Sequence, residues 1–137
     1  MTYVDGYLAP VPANKREQYV ALSKRTGAVL KEYGALRIVE CWIDDQSGDD
    51  AQFHADDARD GLGARTPAMV TSFAQAMRLQ PGEAIVFAWT EWPDKETRDR
   101  GLAAAMADPR MHVADTEEAI FDGKRLIASG FIPIVEL

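Results

Sequence analysis

AIVFAWTEW, residues 84–92, carries two sets of strand-forming side chains in alternation. Ile85, Phe87 and Trp89 share one face with Glu91. Val86, Ala88, Thr90 and Trp92 share the other. Apolar residues on both parities mark a strand with both faces covered. Downstream, Pro93 ends the strand and Asp94 is placed to cap a helix that runs to about residue 107. Gly101 inside that helix weakens it by about 1 kcal/mol relative to Ala, and Asp108-Pro109 stops it. After an irregular stretch over 110–123, Asp122-Gly123 turns into a last strand, 124–136. Pro133 places that strand's end at an edge or a bulge.

Upstream, Pro81-Gly82 is a turn, and Ser72 caps a single helical turn containing Phe73 and Met77. A short strand is expected over 68–71. Residues 45–66, rich in Asp, Gly and Ala without a sustained period, read as a long acidic loop insertion. Before it, ALRIVECWID (35–44) is a strand with Leu36, Ile38, Glu40 and Trp42 on one parity. Arg37, Val39, Cys41 and Ile43 are on the other. Neither parity is plainly polar, so both faces of this strand are also expected to be covered. A helix over 14–33 precedes it, with Asn14 as N-cap, Glu17 closing a capping box and Gly34 as C-terminal cap. Its stripe is Tyr19, Leu22, Thr26, Val29, Leu30 and Tyr33. YVDGYLAPV (3–11) is the first strand, with Gly6 marking a bulge or a close backbone approach.

The order strand, helix, strand, strand, helix, strand gives an α+β, ferredoxin-like βαββαβ fold: one antiparallel sheet with two helices on one face. The other face would then expose Trp, Phe and Ile, a patch that monomeric proteins rarely tolerate. The expectation is a homodimer in which two sheets face each other, a dimeric α+β barrel, each chain (1–137) being a single domain.

The chain has 137 residues, 47% of them hydrophobic, and a formal net charge of −7. Seven Asp against one Arg between Asp44 and Asp60 account for −6 of that charge, leaving −1 for the remainder. This balance argues against nucleic acid, which needs clustered Lys and Arg. A single Cys excludes an internal disulfide framework. No apolar run approaches the roughly 18 residues of a membrane span, and no basic-then-apolar leader opens the sequence, so a cytoplasmic protein is expected.

Several blocks bring a family into view. YVDGY (3–7), EYGALRIVECWIDD (32–45), VTSFAQAMRLQPGEAIVFAW (70–89), ADPRM (107–111) and FDGKRL (121–126), with Gly130-Phe131, resemble the YbaA-like proteins. That is the family of domain of unknown function 1428, in the dimeric α/β-barrel superfamily. The resemblance implies the same ferredoxin-like dimer and implies no activity, the family being uncharacterised. The sequence departs from the family pattern at about 46–66, where its loop is longer and more acidic.

Candidate chemistry centres on Glu40. A carboxylate between Ile38 and Trp42 is costly to bury ionised unless paired, and burial would raise its pKa toward general acid or base use. The competing reading is an ion pair with Arg37, Arg125 or another Arg across the sheet. Trp42, Phe87 and Trp89 are candidates for an apolar ligand pocket or for plain packing. Arg110 and Arg125 could clamp a carboxylate ligand, or fix local turns together with Asp108 and Asp122. Cys41 is expected buried and inert. His54 and His112 are isolated. The Asp-rich loop fails the calcium pattern, with Asp50 where Gly is needed and Asp56 where Glu is usual. No metal or cofactor is expected. The reading that follows is a homodimer binding a small organic molecule in an aromatic-lined pocket. The alternatives are a cofactor-independent enzyme (monooxygenase- or isomerase-like) using Glu40 as acid/base, and a purely structural dimer.

Overall fold

The computed structural model describes residues 2–44, 46, 71–112 and 119–137. It is an α+β structure built on one open, four-stranded antiparallel sheet. The strands are β1 (Tyr3–Pro12), β2 (Arg37–Trp42), β3 (Glu83–Trp92) and β4 (Ile127–Phe131), in the spatial order β2-β3-β1-β4. The helices are α1 (Arg16–Glu32), the short α2 (Phe73–Met77) and α3 (Lys95–Ala107). The expected acidic loop, apart from Gln46, and nearly all of the expected strand at 68–71 lie outside the described residues, as does His54.

AIVFAWTEW is central: β3 pairs with β1 and with β2. Residues directly opposite across a ladder share a sheet face. Thr90 faces Asp5 and Ile38, Ala88 faces Tyr7 and Glu40, and Val86 faces Ala9 and Trp42. Both long helices meet this face. Tyr19 of α1 bonds Glu40, and the α3 side chain Arg98 bonds Asp5. The core here joins Val11, Val86 and Ala88, with Tyr7, Tyr19, Trp42, Ile120 and Phe121 against them. The opposite face carries Phe87, Trp89 and Glu91 of β3, Val39 and Cys41 of β2, and Ile127 and Phe131 of β4.

The caps at Ser72 and Asp94 form as expected. Ser72 makes a reciprocal capping box with Gln75, and the Asp94 carboxylate accepts from Thr97 N–H. Asn14 does not cap α1. Ala13 N–H bonds Gly82 O and the chain passes through a 3-10 turn at Ala13–Lys15, so Asn14 lies inside that turn and the helix begins at Arg16 without a side-chain cap. The last strand is shorter than expected. The Asp122 side chain takes Lys124 N–H and folds Gly123–Arg125 into a 3-10 turn, while Pro133 offers no ladder donor beyond Phe131. Pro109–Met111, which runs from the helix stop into the stretch expected to be irregular from residue 110, forms another 3-10 turn.

Gly101 has a packing reason. A Cβ there would run into the Tyr33 carbonyl and the Trp92 ring, so its absence lets α3 lie directly on the sheet. Gly6 sits in an unbroken ladder, not a bulge, with the Phe131 ring close over it.

β2 corrects the largest local expectation. It is an edge strand, and Arg37, Glu40 and Cys41 are exposed. Cys41 is therefore an exposed thiol, not a buried one, because only one neighbouring strand shields it. Glu40 likewise escapes the burial expected of it.

Candidate functional site

The site begins with a helix lying beside an edge strand. Gly27 of α1 is buried, and a Cβ on it would stand 3.3 Å from the Ile38 Cδ1 atom, so α1 and β2 approach closely at that level. Away from it they bracket a cleft of about 600 Å³. This volume is within the usual range for small-molecule sites, about 300–1,000 Å³. Apolar surface comes from Val20, Ile38, Trp42 and Val86.

Two side chains meet within it. The Tyr19 hydroxyl donates to Glu40 Oε2 at 2.5 Å. Burial, and then this bond to the carboxylate, hold the Tyr19 phenol well above its ordinary range. Tyr19 is thus a fixed proton donor at neutral pH, and Glu40 is an oriented acceptor whose second oxygen takes no hydrogen bond among the described residues and could accept from a ligand's hydroxyl or amine. At one end the Arg16 guanidinium stands 5.5 Å from the centre of the Trp42 ring, a cation–π contact. Arg16, Lys24, Lys31 and Arg37 border the cleft against the single carboxylate of Glu40.

The six candidates from the sequence do not form one constellation. Glu40 and Trp42 line the cleft. Phe87 and Trp89 are on the other side of the sheet, where Phe87 stacks on Phe73 (6.0 Å) and tilts against Trp89 (5.7 Å). Trp89 Nε1 donates to Glu91 there. Arg110 donates to Asp108 and, through both terminal nitrogens, to Glu32. These bonds hold the Asp108 carboxyl far below its usual range. Arg125 donates to Glu83 at 2.6 Å and to the carbonyls of Met77 and Arg78, tying the last turn to α2. Tyr19 gives no sign of this role in the sequence, since its place in the apolar stripe of α1 matches that of a core residue. Among the described residues no group of three or more His, Cys, Asp or Glu is assembled that could hold a metal ion.

The Arg125–Glu83 pair sets an acid response. The hydrogen bond from Arg125 is the first cause lowering the Glu83 pKa below 4.5. Its stabilisation is therefore present above the unfolded-state value and is lost as the pH falls through the folded value. Arg125→Gln should flatten the loss of urea resistance between about pH 5 and 3. An unchanged slope would mean the pair carries no linkage.

Comparison with known proteins fixes the kinship. The family described as "Protein of unknown function (DUF1428)" matches residues 2–123. The chain belongs to this family. It is 40% identical over 136 residues to the uncharacterized protein YbaA of Escherichia coli (strain K12), covering 99% of each chain. The YbaA of Shigella flexneri matches equally well. Among solved structures, the de novo designed protein Foldit4 aligns over 97% of this chain and 99% of its own, with 13% identity and a TM-score of 0.43. The family is described as of unknown function, and YbaA as uncharacterized. Among the described residues no helix is long and apolar enough to cross a membrane.

Proposed function

We propose that this protein binds a small organic molecule in the cleft between α1 and β2, and that it does so as a homodimer of ferredoxin-like sheets. The observation that carries the binding reading is the Tyr19–Glu40 pair set between apolar walls. A pocket of mostly apolar lining with a few convergent polar groups is the usual make-up of a ligand site. Strand order β2-β3-β1-β4 with every neighbouring pair antiparallel supports the ferredoxin-like reading. The second copy covers the sheet face opposite the helices, where Phe87, Ile127 and Phe131 are 42%, 51% and 56% exposed. Binding and assembly thus use opposite faces of one sheet.

Native mass spectrometry of gently purified protein, with the denatured mass as control, tests both halves. The expected result is a mass of two chains plus a discrete excess that disappears on denaturation. Two chains without an excess, even after incubation with a library of small organic compounds, would overturn the binding half. A single chain at micromolar concentration would overturn the dimer.

A further inference from the structure

We infer that the ligand of the α1–β2 cleft is an organic anion: a flat apolar body bearing one carboxylate- or sulfonate-like group, which docks between Lys24 and Lys31. This deepens the binding reading above and rests on it. Three observations lead here.

The first is charge. The chain as a whole is at −7, yet four cationic side chains and one carboxylate border this cleft. Like-signed charges around a concave, low-dielectric wall concentrate their field in the opening and raise the local concentration of a counter-ion. Among the described residues, Lys24 and Lys31 form no ion pair. Arg37 does, with Glu91 at 3.7 Å, and Arg16 is engaged with Trp42. The two lysines are the cations left over for a ligand.

The second is spacing. Lys24 and Lys31 are seven residues apart, two helical turns, and so project from nearly the same side of α1 with about 10 Å between them along the axis. Between them the helix carries Gly27 and Ala28, both lining the cleft. An anion beside the exposed Ala28, outside the Gly27–Ile38 contact, has one ammonium on either flank.

The third is the distance to the polar pair. Ile38, level with Gly27, is two residues along β2 from Glu40, roughly 7 Å at the rise of a strand. A ligand whose anionic group sits between the lysines would reach Tyr19 and Glu40 with a hydroxyl, amine or carbonyl at its far end. Ile38 and Val86 would hold the apolar body between, and Trp42 under Arg16 closes the cleft beyond.

Two dyes of the same ring system separate the charge from the cavity: anilinonaphthalene sulfonate and the uncharged phenylnaphthylamine. Each is titrated into the wild-type protein, into a Lys24→Gln/Lys31→Gln variant, and into Ala28→Phe, which narrows the cleft. All three positions are exposed on α1, and the replacements at the lysines keep good helix formers. The sulfonate is expected to bind about 10-fold more tightly than the neutral dye, the equivalent of one favourable charge contact. The double variant should lose that preference while holding the neutral dye unchanged, and Ala28→Phe should weaken both. If both dyes bind alike and both are weakened by Ala28→Phe, the anionic class is wrong and the cleft reading stands. If Ala28→Phe weakens neither, the cleft reading falls, and this inference with it.

Discussion

Replacing Asp5 with Ala is expected to cost about 3–5 kcal/mol of folding stability, the range for breaking a buried ion pair by removing one partner. That is a fifth or more of the 5–15 kcal/mol typical of a domain. Asp5 is 2% exposed and collects donors from two other elements. Trp92 Nε1 of β3 reaches Oδ2 at 3.0 Å, and Arg98 of α3 gives Nε and a terminal nitrogen, the latter at 2.7 Å. Arg98 also lies over the Tyr3 ring at 5.3 Å. Removing the carboxylate strands the Trp92 N–H in a fully buried place and leaves the Arg98 guanidinium, its side chain only 24% exposed, with the half-exposed Asp99 as its remaining carboxylate. Asp5→Asn keeps an acceptor for Trp92 but turns an amide toward Arg98, and should cost roughly half as much. The Glu32–Arg110 pair is the control. Its side chains are 57% and 50% exposed and solvent screens the pair, so Glu32→Ala should move the urea midpoint far less than Asp5→Ala. Urea midpoints at constant slope measure all three. Equal losses for Asp5→Ala and Glu32→Ala would show that the buried cluster contributes nothing special.

The Asp5 cluster also shows where the sequence stops being legible. Strand β3 was readable because its two parities and its bounding Gly82 and Pro93 are all local. So were the Ser72 and Asp94 caps, whose partners lie three residues on. Asp5 and Arg98 are 93 residues apart, and nothing local in YVDGY names the partner. Its one hint is a charge on the same parity as Tyr3 and Tyr7. Parity within a strand could be read too: Glu40 with Trp42, Phe87 with Trp89. Which parity of β2 meets which parity of β3 depends on register, which the intervening residues 43–82 do not encode. Trp42, Phe87 and Trp89, candidates for one pocket from sequence, are therefore separated by the register onto two faces. The exposure of Cys41 and Glu40 was hidden for a related reason. An apolar run looks the same in a central strand and an edge strand, and strand order is decided by long-range pairing.

Phe87→Asp should convert a two-chain particle into a single chain at micromolar concentration. Phe87 is in the central strand of the open face, opposite Leu8 and Cys41. A two-fold interface uses each residue twice, so the variant places two unpaired carboxylates in one apolar contact. At a conservative 2 kcal/mol or so each for burying a polar group without partners, the dissociation constant rises about 1,000-fold. The sheet alone does not supply the roughly 800 Å² per partner of a standard interface, being four strands about 4.8 Å apart that run from roughly 17 Å in β4 to roughly 33 Å in β1 and β3. In the proposed dimer the remainder would come from the apolar C-terminal run beyond β4, where Ile132, Ile134 and Val135 are 59%, 93% and 70% exposed. Sedimentation gives the mass, and Cys41 gives an independent signal. It is the chain's single cysteine, it is exposed in the lone chain, and it shares the face with Phe87. A thiol reagent should therefore react slowly with the wild type and quickly with Phe87→Asp. Should that variant fail to fold, Ile127→Asp on the edge strand β4 puts the same charge at the rim of the face with less of the core at stake. A wild-type protein that sediments as one chain with a fast-reacting thiol would refute the face-to-face dimer outright.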